Sequence, residues 1–165
     1  MNYSVIRPLD IANGPGVRVS LFVSGCSRRC KGCFNPETWS FTYGEKFSSE
    51  TFLELYRMLG NPNVKGLSIL GGDPFEPANR ECVETICALV ALYFQGKKDI
   101  WVWTGYSFEE VKDAPAMKYI DVLVDGPFEE DKKDLRLKWR GSSNQRVIDV
   151  QESLRTGETV LYDDI

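Results

Sequence analysis

The chain has 165 residues, of which 42% are hydrophobic and 27% charged, with a net charge of −4. This excludes disordered and collagen-like classes and fits one domain with a sizeable core. No apolar run reaches the length of a membrane span, and the opening MNYSVIRPLD lacks the basic and apolar regions of a secretion signal. A cytoplasmic protein without a membrane partner is expected, and the acidic balance argues against general nucleic-acid binding.

In chain order, DIANGPG (10–16) reads as a turn, and VRVSLFV (17–23), apolar and β-branched, as a strand. A cysteine-rich loop follows it directly. The segment 48–59 carries Phe52, Leu55, Tyr56 and Leu59 at helical spacing and ends at Gly60. GLSIL (66–70) is a short buried strand that runs into GGDP. Pro77 opens a helix to about Gln95, with Cys82, Ile86, Leu89, Val90 and Tyr93 on one face. IWVWT (100–104) is a strand with at least one of Trp101 and Trp103 in the core. Ser107 caps a helix over 107–114 with Glu110 three residues on. Strands over 120–124 and 146–150 complete the pattern. Strands alternating with helices imply an α/β fold with a mostly parallel sheet of about five or six strands, an open or partial barrel. One domain is expected over 1–165, with its core in 3–150 and a C-terminal tail, 151–165, of no assigned role. The cysteines, GGDP, TGY and DGPF all follow strand ends, where parallel sheets form their ligand sites.

The chain contains no histidine. That removes Ser–His and Cys–His nucleophiles and every histidine metal site, so cysteine, carboxylate, lysine, backbone or a cofactor must carry any chemistry. Cys26, Cys30 and Cys33 stand in the spacing C-x3-C-x2-C, dense enough to wrap one iron–sulfur cluster. Three thiolates leave one iron of a 4Fe–4S cube open for a small molecule, much as catalytic zinc sites keep one position free. The competing reading is a zinc site completed by Cys82 or Cys87. An electron-transfer ferredoxin needs four cysteines per cluster. Arg28, Arg29 and Lys31 flank the ligands; nearby positive charge favours thiolate and suits an acidic electron donor, or is simply a solvated loop.

The cysteine spacing resembles the signature of radical S-adenosylmethionine enzymes, and DIANGPGVRVSLFVSGCSRRCKGCFNPETW resembles the opening of their glycyl-radical-enzyme activases. GLSILGGDPFEP, DIWVWTGYSFEE, DVLVDGPF and WRGSSNQRVIDV are similar, in order, to blocks of one branch, the activating proteins of anaerobic (class III) ribonucleoside-triphosphate reductases. The resemblance implies a partial β/α barrel of the radical S-adenosylmethionine type, with a 4Fe–4S cluster on Cys26, Cys30 and Cys33 and S-adenosylmethionine on the open iron. It implies reductive cleavage to methionine and a 5′-deoxyadenosyl radical, which takes hydrogen from a glycine of the reductase large subunit. A flavodoxin-like donor would supply the electron. On this reading Gly71, Gly72, Asp73 and Pro74 bind the cofactor's amino group, and Asp73 balances its sulfonium. Gly32, Cys33 and Phe34 contact the adenine largely through backbone; Gly32 replaces the aromatic residue common in relatives, so no side chain stacks there. Thr104 and Asp125 make cofactor-side contacts or serve as a polar strand end and a turn cap. Asn13 to Gly16 shape the mouth, and 139–146 form the partner interface or the far wall. The alternatives are a radical enzyme acting on a small molecule, of the deazapurine-carboxylate synthase type, a metal-stabilised adaptor without activity, and an iron–sulfur sensor.

Overall fold

The computed structural model describes residues 1–163. The strands are β1 (Asn2–Asp10), β2 (Val17–Val23), β3 (Glu45–Lys46), β4 (Val64–Gly71), β5 (Asp99–Trp103), β6 (Val122–Asp125), β7 (Arg146–Asp149) and β8 (Val160–Leu161). The helices are α1 (Ser49–Leu59), α2 (Arg80–Phe94), α3 (Phe108–Val111) and α4 (Val150–Thr156). All eight strands join one open sheet in the order β3-β1-β2-β4-β5-β6-β7-β8.

The expected strands and crossover helices are present, but the expectation of a mostly parallel sheet of five or six strands is corrected. Only the kernel β2-β4-β5-β6 is parallel. The flanks, β3-β1-β2 and β6-β7-β8, are antiparallel. Antiparallel neighbours need only short connections, and β1 and β8 lack the apolar run of a buried strand. β1 is also irregular, with register breaks between Tyr3 and Val5 and between Arg7 and Asp10. Because β3 covers only its first residues, Pro8 falls where β1 is an edge, a position proline tolerates.

Each kernel strand buries both faces. One row of the sheet runs Leu21, Ile69, Val102, Leu123, Ile148 across five strands. Helices α1 and α2 press Leu55, Leu59, Val83, Ile86 and Val90 onto this face, forming the main core. Ser48 caps α1 reciprocally with Thr51. Helix α2 begins at Arg80 rather than Pro77, because residues 74–79 form a turn that ends on Asn79. Its buried seam is Val83, Ile86, Cys87 and Val90, so Tyr93 is rotated out to meet Tyr56 edge-on at 5.6 Å.

The opposite face holds a second cluster of Trp101, Val122, Val124 and Val147, with Trp103, Trp139 and Tyr162 packed against it. Arg18 is fully buried on that face. Its guanidinium donates to Ser68 Oγ (2.7 Å) and Leu67 O (3.0 Å) and pairs with Asp99 (2.7 Å). The pair passes over Gly66, where a Cβ would lie 2.0 Å from Asp99 Oδ1. The tail is ordered into α4 and β8 as far as it is described: Asp149 caps α4, and Gly157 ends it in the left-handed region. Those two caps are the sequence signal for it; Asp164 and Ile165 lie outside the described residues.

Candidate functional site

Strand β2 delivers the chain into Ser24-Gly25-Cys26, and backbone hydrogen bonds fix that loop from two sides. Gly25 N and Cys26 N donate to Thr38 O (2.7 Å) and Trp39 O (3.2 Å) of a 3-10 turn over Pro36–Trp39. On the other side Gly72 N donates to Val23 O (2.7 Å) and Asp73 N to Gly25 O (2.9 Å). This explains the two glycines. A Cβ on Gly71 would lie 2.6 Å from Val23 O, and one on Gly72 2.6 Å from Gly25 O. The backbone that comes close to GGDP is therefore the chain's own cysteine loop.

Two buried side chains absent from the sequence reading complete the clamp. Glu76, 4% exposed, accepts from Ser27 N and Ser27 Oγ, both at 2.7 Å. Asn79 Nδ2 donates to Ser24 O and Asp73 O, both at 3.0 Å. Their polarity was visible in the sequence, but their partners Ser27 and Ser24 lie about fifty residues earlier.

The three cysteine side chains are free thiols that border a cavity of about 590 Å³. Gly71, Gly72 and Asp73 from the end of β4 and Thr104 from the end of β5 border the same cavity, as does Phe34. Asp73 is 1% exposed, and its carboxylate accepts from Phe75 N (2.9 Å), Thr104 Oγ1 (2.7 Å) and Gly105 N (2.9 Å). Burial raises its pKa, and those three donors and Arg28 oppose the rise. Asp73 and Thr104 are thus partners of each other, joining the two turns into one wall. Gly32, Pro74 and Asp125 do not border the cavity. Gly32 is an exposed turn residue at φ 74°, and Pro74 belongs to a neighbouring cleft with Phe75 and Arg80. Asp125 accepts from Phe108 N (2.7 Å) and pairs with Arg146, so it caps α3 and ties β6 to β7.

The basic residues of the loop have separate fates. Arg28, itself exposed, lays its guanidinium 4.5 Å from the Tyr106 ring centroid and borders the cavity. Gly105 makes this possible, since a Cβ there would lie 2.4 Å from the Arg28 side chain. Lys31 pairs with Glu130 at 3.3 Å, and Arg29 is exposed. At Cys26 burial raises the pKa, the Arg28 and Arg29 backbone N–H groups oppose the rise, and Asp73 and Glu76 add to it. Cys82 and Cys87 lie on α2, away from the cavity. Cys87 is fully buried, and burial pushes its pKa up to about 12, as for an inert core thiol. Among the described residues no three His, Cys, Asp or Glu side chains are grouped closely enough to hold a single metal ion. A multi-iron cluster has metal corners set further apart, and three thiols around an open cavity suit its sulfur-ligand chemistry.

Trp139, Arg140, Gly141 and Gln145 also line the cavity, as do Ala12 and Asn13. Part of the segment expected as interface or far wall thus borders the cavity, and of the expected mouth residues Asn13 borders it while Gly14, Pro15 and Gly16 do not. No helix among the described residues is long and apolar enough to cross a membrane.

Three cysteines of the single loop after β2 border this cavity, and residues 12–148 match the family model described as a 4Fe-4S single cluster domain, which makes this an iron–sulfur protein. The chain is 46% identical over 147 residues to an anaerobic ribonucleoside-triphosphate reductase-activating protein of Enterobacteria phage T4, covering 89% of this chain and 93% of the relative. It is 45% identical to the protein of that name from Vibrio cholerae and 44% to that from Escherichia coli, each over 151 residues, 89% of this chain and 97% of the relative. The chain belongs to the family of anaerobic ribonucleoside-triphosphate reductase-activating proteins.

Proposed function

We propose that this chain activates an anaerobic ribonucleoside-triphosphate reductase by installing a radical on a glycine of its large subunit, using a 4Fe–4S cluster on Cys26, Cys30 and Cys33 together with S-adenosylmethionine. The observation that carries this reading is a set of three free thiols, with no fourth cysteine beside them, on a cavity that also admits the GGD turn. When bound, the cluster and S-adenosylmethionine would supply one-electron reductive cleavage of the sulfonium and so the means of taking the glycine hydrogen, with methionine and 5′-deoxyadenosine as products.

The protein's own part is placement. The Glu76 and Asn79 clamp holds the cysteine loop at a fixed height above β4. Gly71, Gly72 and the Asp73–Thr104 pair form the wall that receives the cofactor, and the negative charge of Asp73 favours a sulfonium nearby. Phe34 and the Trp139–Gln145 wall keep water from a reactive carbon centre. The site stays open on one side, so a docking protein completes its enclosure. Arg29, exposed on the cysteine loop, offers charge to an acidic, flavodoxin-like donor.

The test is anaerobic incubation with S-adenosylmethionine, reductant and a class III reductase. A glycyl radical signal by electron paramagnetic resonance, with one 5′-deoxyadenosine per radical, is expected. Absence of the signal despite a full iron and sulfide complement overturns the reading.

A further inference from the structure

Between β6 and β7 the chain leaves the sheet for residues 126–145, a connection far longer than its antiparallel neighbours need. It is not slack. Lys133 and Ser142 form an antiparallel bridge, Ser143 N donates to Lys132 O (3.0 Å), and Asp134 N to Gly141 O (3.3 Å). The segment is a finger with its tip at 134–138. Its root is the WRGSSNQ stretch, which serves above only as a wall of the cavity.

The root is tied down residue by residue. Gln145 Oε1 accepts from Gly141 N (2.9 Å) and Ser142 N (3.1 Å), while its Nε2 donates to Gly126 O (3.0 Å). Asn144 Nδ2 donates to Pro127 O (2.8 Å), and Arg140 Nη1 to Gln145 O (2.7 Å). Trp139 takes φ 66°, a left-handed conformation that a bulky residue adopts only when its surroundings impose it. Here its carbonyl accepts from Trp103 Nε1 at 2.6 Å, and its ring meets Trp101 edge-on at 6.0 Å. Gly141 lets Phe34 of the cysteine loop and Phe128 pack on the root, with those two rings 5.1 Å apart.

This apparatus supports a tip that holds Leu135 at 82% exposure. Asp134 accepts from Arg136 through both carboxylate oxygens (3.0 and 2.9 Å), an exposed pair that flanks the leucine on the turn. Leu135 and Leu137 stand on the lip of the cavity, continuous with its Trp139 wall. A root held by these hydrogen bonds, although Trp139 Nε1, Arg140 Nε and Asn144 Oδ1 are buried without a partner, presents the solvated leucine on a framework ordered before any partner arrives.

We propose that the finger tip, Leu135 backed by Leu137, is the docking element for the large subunit of the reductase, seating an apolar patch beside the glycine that enters the cavity. This rests on the proposed function in one respect, that the substrate is a protein. The lip is then a surface that such a substrate passes on its way into the cavity, and covering a leucine that is 82% exposed there removes apolar surface from water.

The test uses the full chain, anaerobically reconstituted, with Leu135→Glu and the milder Leu135→Ser, and with Leu92→Glu as a control on an exposed leucine of α2. Affinity for the reductase large subunit is measured by anaerobic titration without S-adenosylmethionine, alongside iron content and S-adenosylmethionine affinity. Expected are at least tenfold weaker reductase binding for Leu135→Glu, a smaller loss for Leu135→Ser, and parental binding for Leu92→Glu. Iron content and S-adenosylmethionine affinity should stay at the parental level. Parental reductase binding by Leu135→Glu overturns the proposal. So does an equal loss of S-adenosylmethionine affinity, which would make the tip a cover over the small molecule, or loss of iron in both variants, which would make it part of the cluster's fold. Because the titration needs no radical, intact binding without a glycyl radical sinks the catalytic reading alone, and a radical with unaltered Leu135→Glu binding sinks the docking alone.

Discussion

At the scale of single residues, the three loop cysteines and the two of α2 differ in surroundings, and their variants should differ accordingly. Cys26→Ala, Cys30→Ala and Cys33→Ala are each expected to lose iron, measured as iron and sulfide per chain after anaerobic reconstitution. Cys82→Ala should keep the parental iron and cost about 1 kcal/mol in denaturant unfolding, as modest core truncations do. Glu76 offers a sharper test of the clamp. Glu76→Ala strips the acceptor from Ser27 N and Oγ; Ser27 is exposed, so water can take over and the loss is that of a net hydrogen bond, about 1 kcal/mol. Glu76→Gln keeps an acceptor oxygen and should retain cluster content where Glu76→Ala sheds it; equal iron in both variants would remove Glu76 from the site's architecture. Cysteine spacing was legible because it is local in the chain. The acceptor for Ser27 was not, since nothing near Ser27 names a residue at 76.

At the scale of elements, Arg146 is the joint that sets β7 against β6 and α3. It pairs with buried Asp125 and, at 2.7 Å, with Glu109, holding the Glu109 carboxyl down at about 2. A depressed carboxylate stabilises the fold above its unfolded pKa of about 4.3, and that contribution fades as pH falls toward 2. Thermal unfolding between pH 5 and pH 2 should therefore fall more steeply for the parent than for Glu109→Gln. The difference should be small, because the pair is partly solvated; parallel curves would show that the pair adds nothing. The kernel strands and α1 were readable from apolar spacing and from Gly60 at the helix end. β1 was not, because its bulged, half-exposed face carries neither strict alternation nor a buried run. Residues 126–145 were not readable either, since their bonds join turns to side chains rather than repeat along an element.

At the scale of the whole molecule, Arg18 spans β2, β4 and β5 from beneath the cavity, with Ser68, Leu67 and Asp99 as partners. Arg18→Ala leaves Asp99 unpaired and a large void, and should cost about 3 kcal/mol or more in urea unfolding. Arg18→Lys should recover only part of it, because one ammonium cannot reproduce the forked contacts. By itself the sequence determined the ligand chemistry: no histidine, three crowded cysteines, and glycine-bearing turns after apolar strands. These are facts about residue type and short spacing, and short spacing survives in any fold. Only the tertiary structure decided that the glycines serve the cysteine loop, that Asp73 and Thr104 hold each other, that Asp125 turns away from the cavity, and that WRGSSNQ roots a finger at its lip. Each of these depends on which distant segment a polar group meets on burial, and a buried donor or acceptor takes whatever partner the packed chain brings within reach.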